Sequence, residues 1–126
     1  MSKKNLNFII TVLFWLGMVA STFVLLVEVA PKSGGWPYWD KVEHIFGFTI
    51  LTIFGYLSYT EKKIWVCIGL AIYGALIEYL QNAFTLTRMA SLGDWAADIV
   101  GIVLATAIIF MIKNLRAKNT IVLGAN

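Results

Sequence analysis

Residues 64–88 read IWVCIGLAIYGALIEYLQNAFTLTR, and this stretch decides the fold. It follows the pair Lys62 and Lys63 and stays apolar for 14 residues before an acid appears at Glu78. An ionisable side chain that deep in an apolar segment is costly to bury and usually faces the interior of a helix bundle. The stretch therefore predicts a buried helix with one polar face, which needs polar partners on other helices.

The composition of the chain indicates that lipid is its main solvent. Of the 126 residues, 60% are hydrophobic and 13% are charged, and the mean hydropathy is +0.79. A soluble domain of this size has too little interior to bury so much apolar surface. Four apolar runs are each long enough to cross a hydrocarbon core of roughly 30 Å, and they lack the alternation of barrel strands. We therefore expect an all-α membrane protein with four transmembrane helices.

Polar residues between the apolar runs set the expected helix bounds. We predict one transmembrane domain with helices over residues 8–29, 41–60, 64–82 and 94–112, followed by a mobile basic tail over residues 113–126. Asp40 and Asp94 are placed to cap the second and fourth helices. The first run also resembles a secretory signal peptide, but its length favours an uncleaved anchor.

Lysine and arginine residues predict the orientation of the helices. With both termini in the cytoplasm, seven basic residues lie inside and three lie outside. This is the asymmetry that positive residues show in membrane proteins. Because the basic residues sit at helix ends, topology and anionic lipid explain the net charge of +3 better than a nucleic-acid partner.

Three polar side chains are predicted to lie at one depth. Counted from the cytoplasmic lysine near each helix, Glu78 and Asp98 are each 15 residues away, or about 22 Å, and His44 is 18 residues away, or about 27 Å. All three counts end in the outer third of the bilayer. We expect the second, third and fourth helices to surround a polar cavity open to the extracytoplasmic side, with the first helix packed outside it.

Helix spacing places further residues on the same faces as these three. A second polar residue lies one turn from each of them, and the three neighbours are Asp40, Gln81 and Asp94. A glycine that permits close helix approach also lies one turn away, at Gly47, Gly74 and Gly101. In the loop above, Arg88 is a candidate counter-ion or anion clamp.

Simpler interpretations stay open for each residue. Asp40 and Asp94 are also explained as helix caps, His44 as a packing residue, and Glu78 with Arg88 as a structural ion pair. No nucleophile, zinc, phosphate-loop or dinucleotide motif is present, so we predict no cofactor and no metal. Carboxylates with one imidazole make a metal site chemically possible, but their spacing matches no standard metal motif.

The polar segments taken together resemble a known family. The segments are DKVEH at residues 40–44, EYLQ at 78–81, the arginine at 88 and DWAADIVG at 94–101. In this order and spacing they resemble the VanZ-like family of small bacterial membrane proteins, over residues 36–108. That family often has asparagine at the position of Asp98 and Pro-Gly at the position of Leu86 and Thr87.

The resemblance implies a multi-pass protein of the bacterial inner membrane. The family takes its name from a member linked to low-level resistance to the glycopeptide teicoplanin. Carried over residue by residue, its signature positions are Asp40, Lys41, His44, Glu78, Gln81, Arg88, Asp94 and Asp98. These positions include the residues that depth and helix face select.

Three functions are compatible with these residues. In the first, the cavity binds the polar head of an envelope lipid or a lipid-linked cell-wall precursor, with Arg88 and Lys41 on phosphate and Asp40, Gln81 and Asp94 completing the site. In the second, His44, Glu78 and Asp98 act as general acid and base in a lipid hydrolase or transferase. In the third, the chain is a structural subunit whose polar cluster only fixes helix packing.

Overall fold

The computed structural model describes residues 2–27, 38–86 and 91–124, with side chains described as far as residue 119. Four α-helices occupy these ranges: α1 (Lys3–Leu26), α2 (Trp39–Ser58), α3 (Lys63–Phe84) and α4 (Leu92–Gly124). The same ranges contain no β-strand. The expectation of an all-α fold with four helices is confirmed.

Three of the helices are long and apolar enough to cross a membrane. They are Lys3–Leu26, Lys63–Phe84 and Leu92–Asn119. Large side chains on their outer surfaces are more than 60% exposed, namely Phe8, Phe23, Trp65, Ile72 and Phe110. A lipid solvent explains such a surface, as a multi-pass membrane protein requires. Charged residues in the first turns of α2 lower its mean hydropathy. That α2 is a fourth helix that crosses the membrane stays a prediction.

Helices α2 and α3 each contact all three of the other helices, and the contacts of α2 are the more extensive. The most extensive contact of α2 is with α4, whereas α1 packs against α2 and α3. Apolar side chains from all four helices fill the space between them: Phe14, Leu25, Phe48, Leu51, Leu70, Ile77 and Ile102. In this arrangement, α2, α3 and α4 each turn one face toward the other two helices.

The helix bounds differ from the predicted ones chiefly at the C-terminal end. The bounds of α1, α2 and α3 lie within five residues of the prediction, but α4 continues to Gly124. The prediction that this helix ends near Ile112 is wrong. Residues 113–124, KNLRAKNTIVLG, contain no proline and several strong helix formers, which explains why the helix continues. The predicted orientation, with both termini in the cytoplasm, stays a prediction.

Candidate functional site

Three ionisable side chains from three helices meet inside the bundle. His44 of α2, Glu78 of α3 and Asp98 of α4 bring their nitrogen and oxygen atoms within 4.8 Å of one another. Their exposed fractions are 1%, 6% and 0%. We call this group the His44–Glu78–Asp98 cluster. The sequence predicted a common depth for these residues, and the structure brings them together.

The shortest contact in the cluster joins α2 to α4. The Nδ1 atom of His44 lies 2.7 Å from Oδ1 of Asp98, a hydrogen-bond distance. When the carboxyl group is ionised it only accepts, so the imidazole donates from Nδ1. In the neutral imidazole the tautomer is then fixed, and the second ring nitrogen, Nε2, keeps its lone pair. A carboxylate orients the imidazole in this way in many metal and acid–base sites.

A close helix crossing holds this contact in place. A Cβ atom on Gly101 would lie 2.5 Å from the Ile45 carbonyl oxygen and 3.0 Å from Cβ of Phe48. The hydroxyl of Thr49 also donates to the Gly101 carbonyl at 3.2 Å, as well as to Ile45 in its own helix. Because Gly101 is one turn beyond Asp98, the tight approach of α2 and α4 sets the distance between Asp98 and His44.

A second glycine makes room for the Asp98 carboxyl group. A Cβ atom on Gly74 would lie 2.5 Å from Oδ2 of Asp98, so this carboxyl group occupies the space that a side chain on α3 would take. Gly74 is one turn before Glu78 on the same face. The third glycine predicted to act in this way, Gly47, has nothing within 4 Å of its Cβ position, so the prediction is wrong for that residue.

The start of α4 supplies a partner that the sequence analysis missed. The backbone N–H of Ser91 donates to Oε2 of Glu78 at 2.7 Å. Ser91 directly precedes α4, and its hydroxyl accepts from the backbone N–H of Asp94 at 3.3 Å. Ser91, rather than Asp94, therefore caps this helix. A serine three residues before an acid is a recognised signal for a helix start and would have identified it.

Lys41 and Asp94 form an ion pair at the edge of the cluster. The Nζ atom of Lys41 lies 2.7 Å from Oδ1 of Asp94, and the two side chains are 38% and 9% exposed. The lysine stem passes 3.2 Å from the Cβ position of Gly93. Asp40 and Asp94 also come within 4.8 Å of His44. Asp40 lies in the first turn of α2, which begins at Trp39 after Tyr38, so Asp40 is not its cap residue.

Gln81, another predicted ligand-binding residue, makes a contact outside the cluster. The buried side chain of Gln81 donates from Nε2 to the carbonyl of Leu25 at 2.8 Å, so this amide joins α3 to α1. Its amide nitrogen therefore serves helix packing in this structure. Arg88, the predicted anion clamp, lies outside the described residues.

Within the described part of the chain, each residue of the cluster keeps one buried polar atom without a hydrogen-bond partner. The atoms are Nε2 of His44, Oε1 of Glu78 and Oδ2 of Asp98. Buried polar groups are nearly always satisfied, since an unmet one costs about 1–3 kcal/mol. Three such atoms in one cluster therefore indicate a place for a ligand. With both acids ionised and the imidazole neutral, all three accept hydrogen bonds or bind a cation.

Comparison with protein-family models, with curated proteins and with solved structures finds no match to this chain.

Proposed function

We propose that this chain is a VanZ-like protein of the bacterial inner membrane that binds the polar head of an envelope lipid or a lipid-linked cell-wall precursor. The headgroup binds in the outer leaflet, and both termini of the protein lie in the cytoplasm. By holding such a lipid, the protein changes how a glycopeptide such as teicoplanin meets its target. The resemblance of residues 36–108 to that family supports the link to resistance.

One observation carries the binding proposal. Three helices each contribute a buried polar atom without a partner, all from the His44–Glu78–Asp98 cluster. A cluster that served only helix packing would leave no such atoms, because unmet polar groups weaken the fold. A ligand with hydroxyl, amide or amine donors would satisfy them.

The ion pair at the edge of the cluster complements this chemistry. Lys41 is partly exposed and carries the positive charge that a phosphate group needs. In the proposal, the headgroup separates Lys41 from Asp94, and its phosphate takes the place of the carboxylate on the lysine. Arg88 is proposed as the second cation of the site. The hydrogen-bond donors of the headgroup reach the carboxyl groups of Glu78 and Asp98.

The contact between His44 and Asp98 favours a second candidate, an acid–base enzyme acting on a lipid headgroup. A histidine that acts as a general base is commonly oriented by a third group that bonds to its second ring nitrogen. The 2.7 Å contact from Nδ1 to Asp98 provides this, and Nε2 stays available for proton transfer. In this candidate, Glu78 is the second proton donor or acceptor.

Lipid mass spectrometry distinguishes the two candidates. Purified protein is incubated with a total bacterial envelope-lipid extract, and the lipids are measured before and after separation from the protein. The binding proposal predicts one lipid species retained by the wild type and lost in Glu78→Gln. The matched control is Glu43→Gln, the same change at an exposed position of α2, which keeps the lipid.

The other outcomes are equally informative. A lipid whose mass changes with the wild type and not with Glu78→Gln supports the enzyme, and the mass difference gives the reaction class. If the wild type neither retains nor alters any lipid, both candidates are wrong.

A further inference from the structure

We propose that the His44–Glu78–Asp98 cluster binds one divalent transition-metal ion of the Zn²⁺ class. The sequence contains no standard metal motif, because the three residues come from three separate helices. Only the fold brings one imidazole nitrogen and two carboxylate oxygens within 4.8 Å of one another. Zn²⁺ binds such ligands at about 2.0–2.2 Å, so two of its ligands lie up to about 4.2 Å apart.

The partners of each side chain support the metal site independently of its composition. His44, Glu78 and Asp98 are all more than nine-tenths buried, and each has one polar atom without a hydrogen-bond partner. Oδ1 of Asp98 accepts from Nδ1 of His44, and Oε2 of Glu78 accepts from the backbone N–H of Ser91, so these hydrogen bonds hold the other polar atoms. Metal ligands are typically oriented by second hydrogen bonds of this kind.

In the state with both acids ionised, charge favours a divalent cation over a neutral ligand. With both acids ionised and the imidazole neutral, the three side chains carry two negative charges in the interior of the bundle. Uncompensated charges at such a depth are very costly. One divalent ion bound among the three side chains brings the charge of the cluster to zero. An ion also fits among side chains that are 0–6% exposed.

A second grouping shares His44 but is a weaker candidate. Asp40, His44 and Asp94 also bring possible ligand atoms within 4.8 Å. Asp94 is already paired with Lys41 at 2.7 Å, and that lysine would repel a cation. The unpartnered buried atoms lie on Glu78 and Asp98 instead, so the geometry assigns the ion to these two acids and His44.

The ion deepens the proposed function but does not depend on it. Its binding rests on the geometry of the cluster alone. One further step rests on the lipid proposal. In that step, a phosphate oxygen of the headgroup completes the coordination of the ion once Lys41 has moved. Zn²⁺ sites with three protein ligands commonly keep a fourth position for water or substrate.

Metal content of the purified full-length protein tests the site. The protein in detergent is stripped with a chelator, loaded with Zn²⁺ or Mn²⁺, desalted and measured by elemental mass spectrometry. We expect about one ion per chain for the wild type and for the exposed control Glu43→Gln. Glu78→Gln and Asp98→Asn should weaken binding beyond the roughly 10–100-fold that changes to outer partners cause.

Two further measurements keep the result decisive if a variant folds poorly. Helix content by circular dichroism and elution volume are compared for every variant, and X-ray absorption of the loaded wild type is expected to show one imidazole with oxygen ligands. Asp40→Asn is expected to retain the ion, and its loss there would move the site to the second grouping and overturn the assignment. No uptake by the wild type, or equal uptake by folded Glu78→Gln, also overturns it.

The two proposals fail in different ways. An ion bound without any retained or altered lipid would leave the metal site standing and remove the lipid function. A retained lipid without any ion would remove the metal site alone.

Discussion

Helices α2, α3 and α4 meet at two polar junctions, and the two are built differently. The first is the His44–Glu78–Asp98 cluster. The second, about two to three turns away along each helix, joins Tyr56, Cys67 and Thr106, and we call it the Tyr56–Cys67–Thr106 junction. One junction carries ionisable acids and the other carries none, although the same three helices form both.

The Tyr56–Cys67–Thr106 junction satisfies its own groups. The hydroxyl of Tyr56 lies 3.0 Å from the Cys67 sulfur and 3.1 Å from the Thr106 hydroxyl. Thr106 donates to the carbonyl of Ile102 at 2.8 Å. No polar side-chain atom of this junction is buried without a partner. Neutral, paired groups of this kind join helices at low cost, which is what a structural junction requires.

The His44–Glu78–Asp98 cluster leaves three atoms unmet at nearly complete burial. Helix packing does not require such an arrangement, because the neighbouring junction joins the same helices without acids. The difference indicates that the fold tolerates the cost of the cluster for a ligand. Stability and binding should therefore respond differently when each junction is altered.

The largest expected effect comes from removing one partner of the His44–Asp98 contact. In chelated protein, His44→Ala leaves a buried carboxylate unpaired and should lower the free energy of unfolding by about 3–5 kcal/mol. The double variant His44→Leu with Asp98→Leu should be as stable as the wild type or about 1–4 kcal/mol more stable, while it binds no ion. Denaturant titration of helix content measures both. If His44→Ala lowers the free energy of unfolding by less than a substitution in the Tyr56–Cys67–Thr106 junction does, the contrast between the two junctions disappears.

An intermediate effect is expected at the close crossing that positions Asp98. Gly101→Ala places a Cβ atom 2.5 Å from the backbone of Ile45, so α2 and α4 must separate, at a cost of about 1–3 kcal/mol. Gly47→Ala is the matched control, since nothing lies within 4 Å of its Cβ position, and it should stabilise the helix by up to about 1 kcal/mol. Equal melting temperatures for the two variants would show that the crossing is not tight.

The smallest effect on stability is expected at the Tyr56–Cys67–Thr106 junction. Thr106→Val removes a hydroxyl that bonds to Tyr56 and should cost about 0.5–1.5 kcal/mol of stability. Ion and lipid binding should stay at the wild-type level, because no atom of the His44–Glu78–Asp98 cluster is changed. Loss of either ligand in a well-folded Thr106→Val protein would show that the two junctions act as one.

Much of the fold follows from the sequence because lipid imposes simple requirements. Apolar runs of membrane-spanning length must be helices, and an acid within such a run must face other polar groups. These two requirements select Glu78 and Asp98, and a count of helical rise adds His44. The rest depends on contacts that spacing does not contain. Gly47 lies one turn from His44, as Gly74 and Gly101 lie one turn from Glu78 and Asp98, but its Cβ position contacts no neighbouring helix.

The details of the site depend on tertiary contacts between loop and helix ends. Lys41 has the chemistry of a phosphate ligand, and the structure pairs it with Asp94 across two helix starts. Gln81 shares a face with Glu78, yet its amide donates to the carbonyl of Leu25. The bond from Ser91 to Glu78 joins residues 13 positions apart and requires the exact path of the chain between α3 and α4. Amphipathic patterns do not specify such contacts.

Native mass spectrometry of the protein released from detergent tests the difference between the junctions most directly. It detects bound ions and bound lipids in one measurement on the intact chain. We predict an added non-covalent mass on the wild type and on Thr106→Val, and its absence from folded Glu78→Gln. A wild-type protein that carries no added mass, or a mass equally present on Glu78→Gln, would contradict the account and leave the His44–Glu78–Asp98 cluster with a role in packing only.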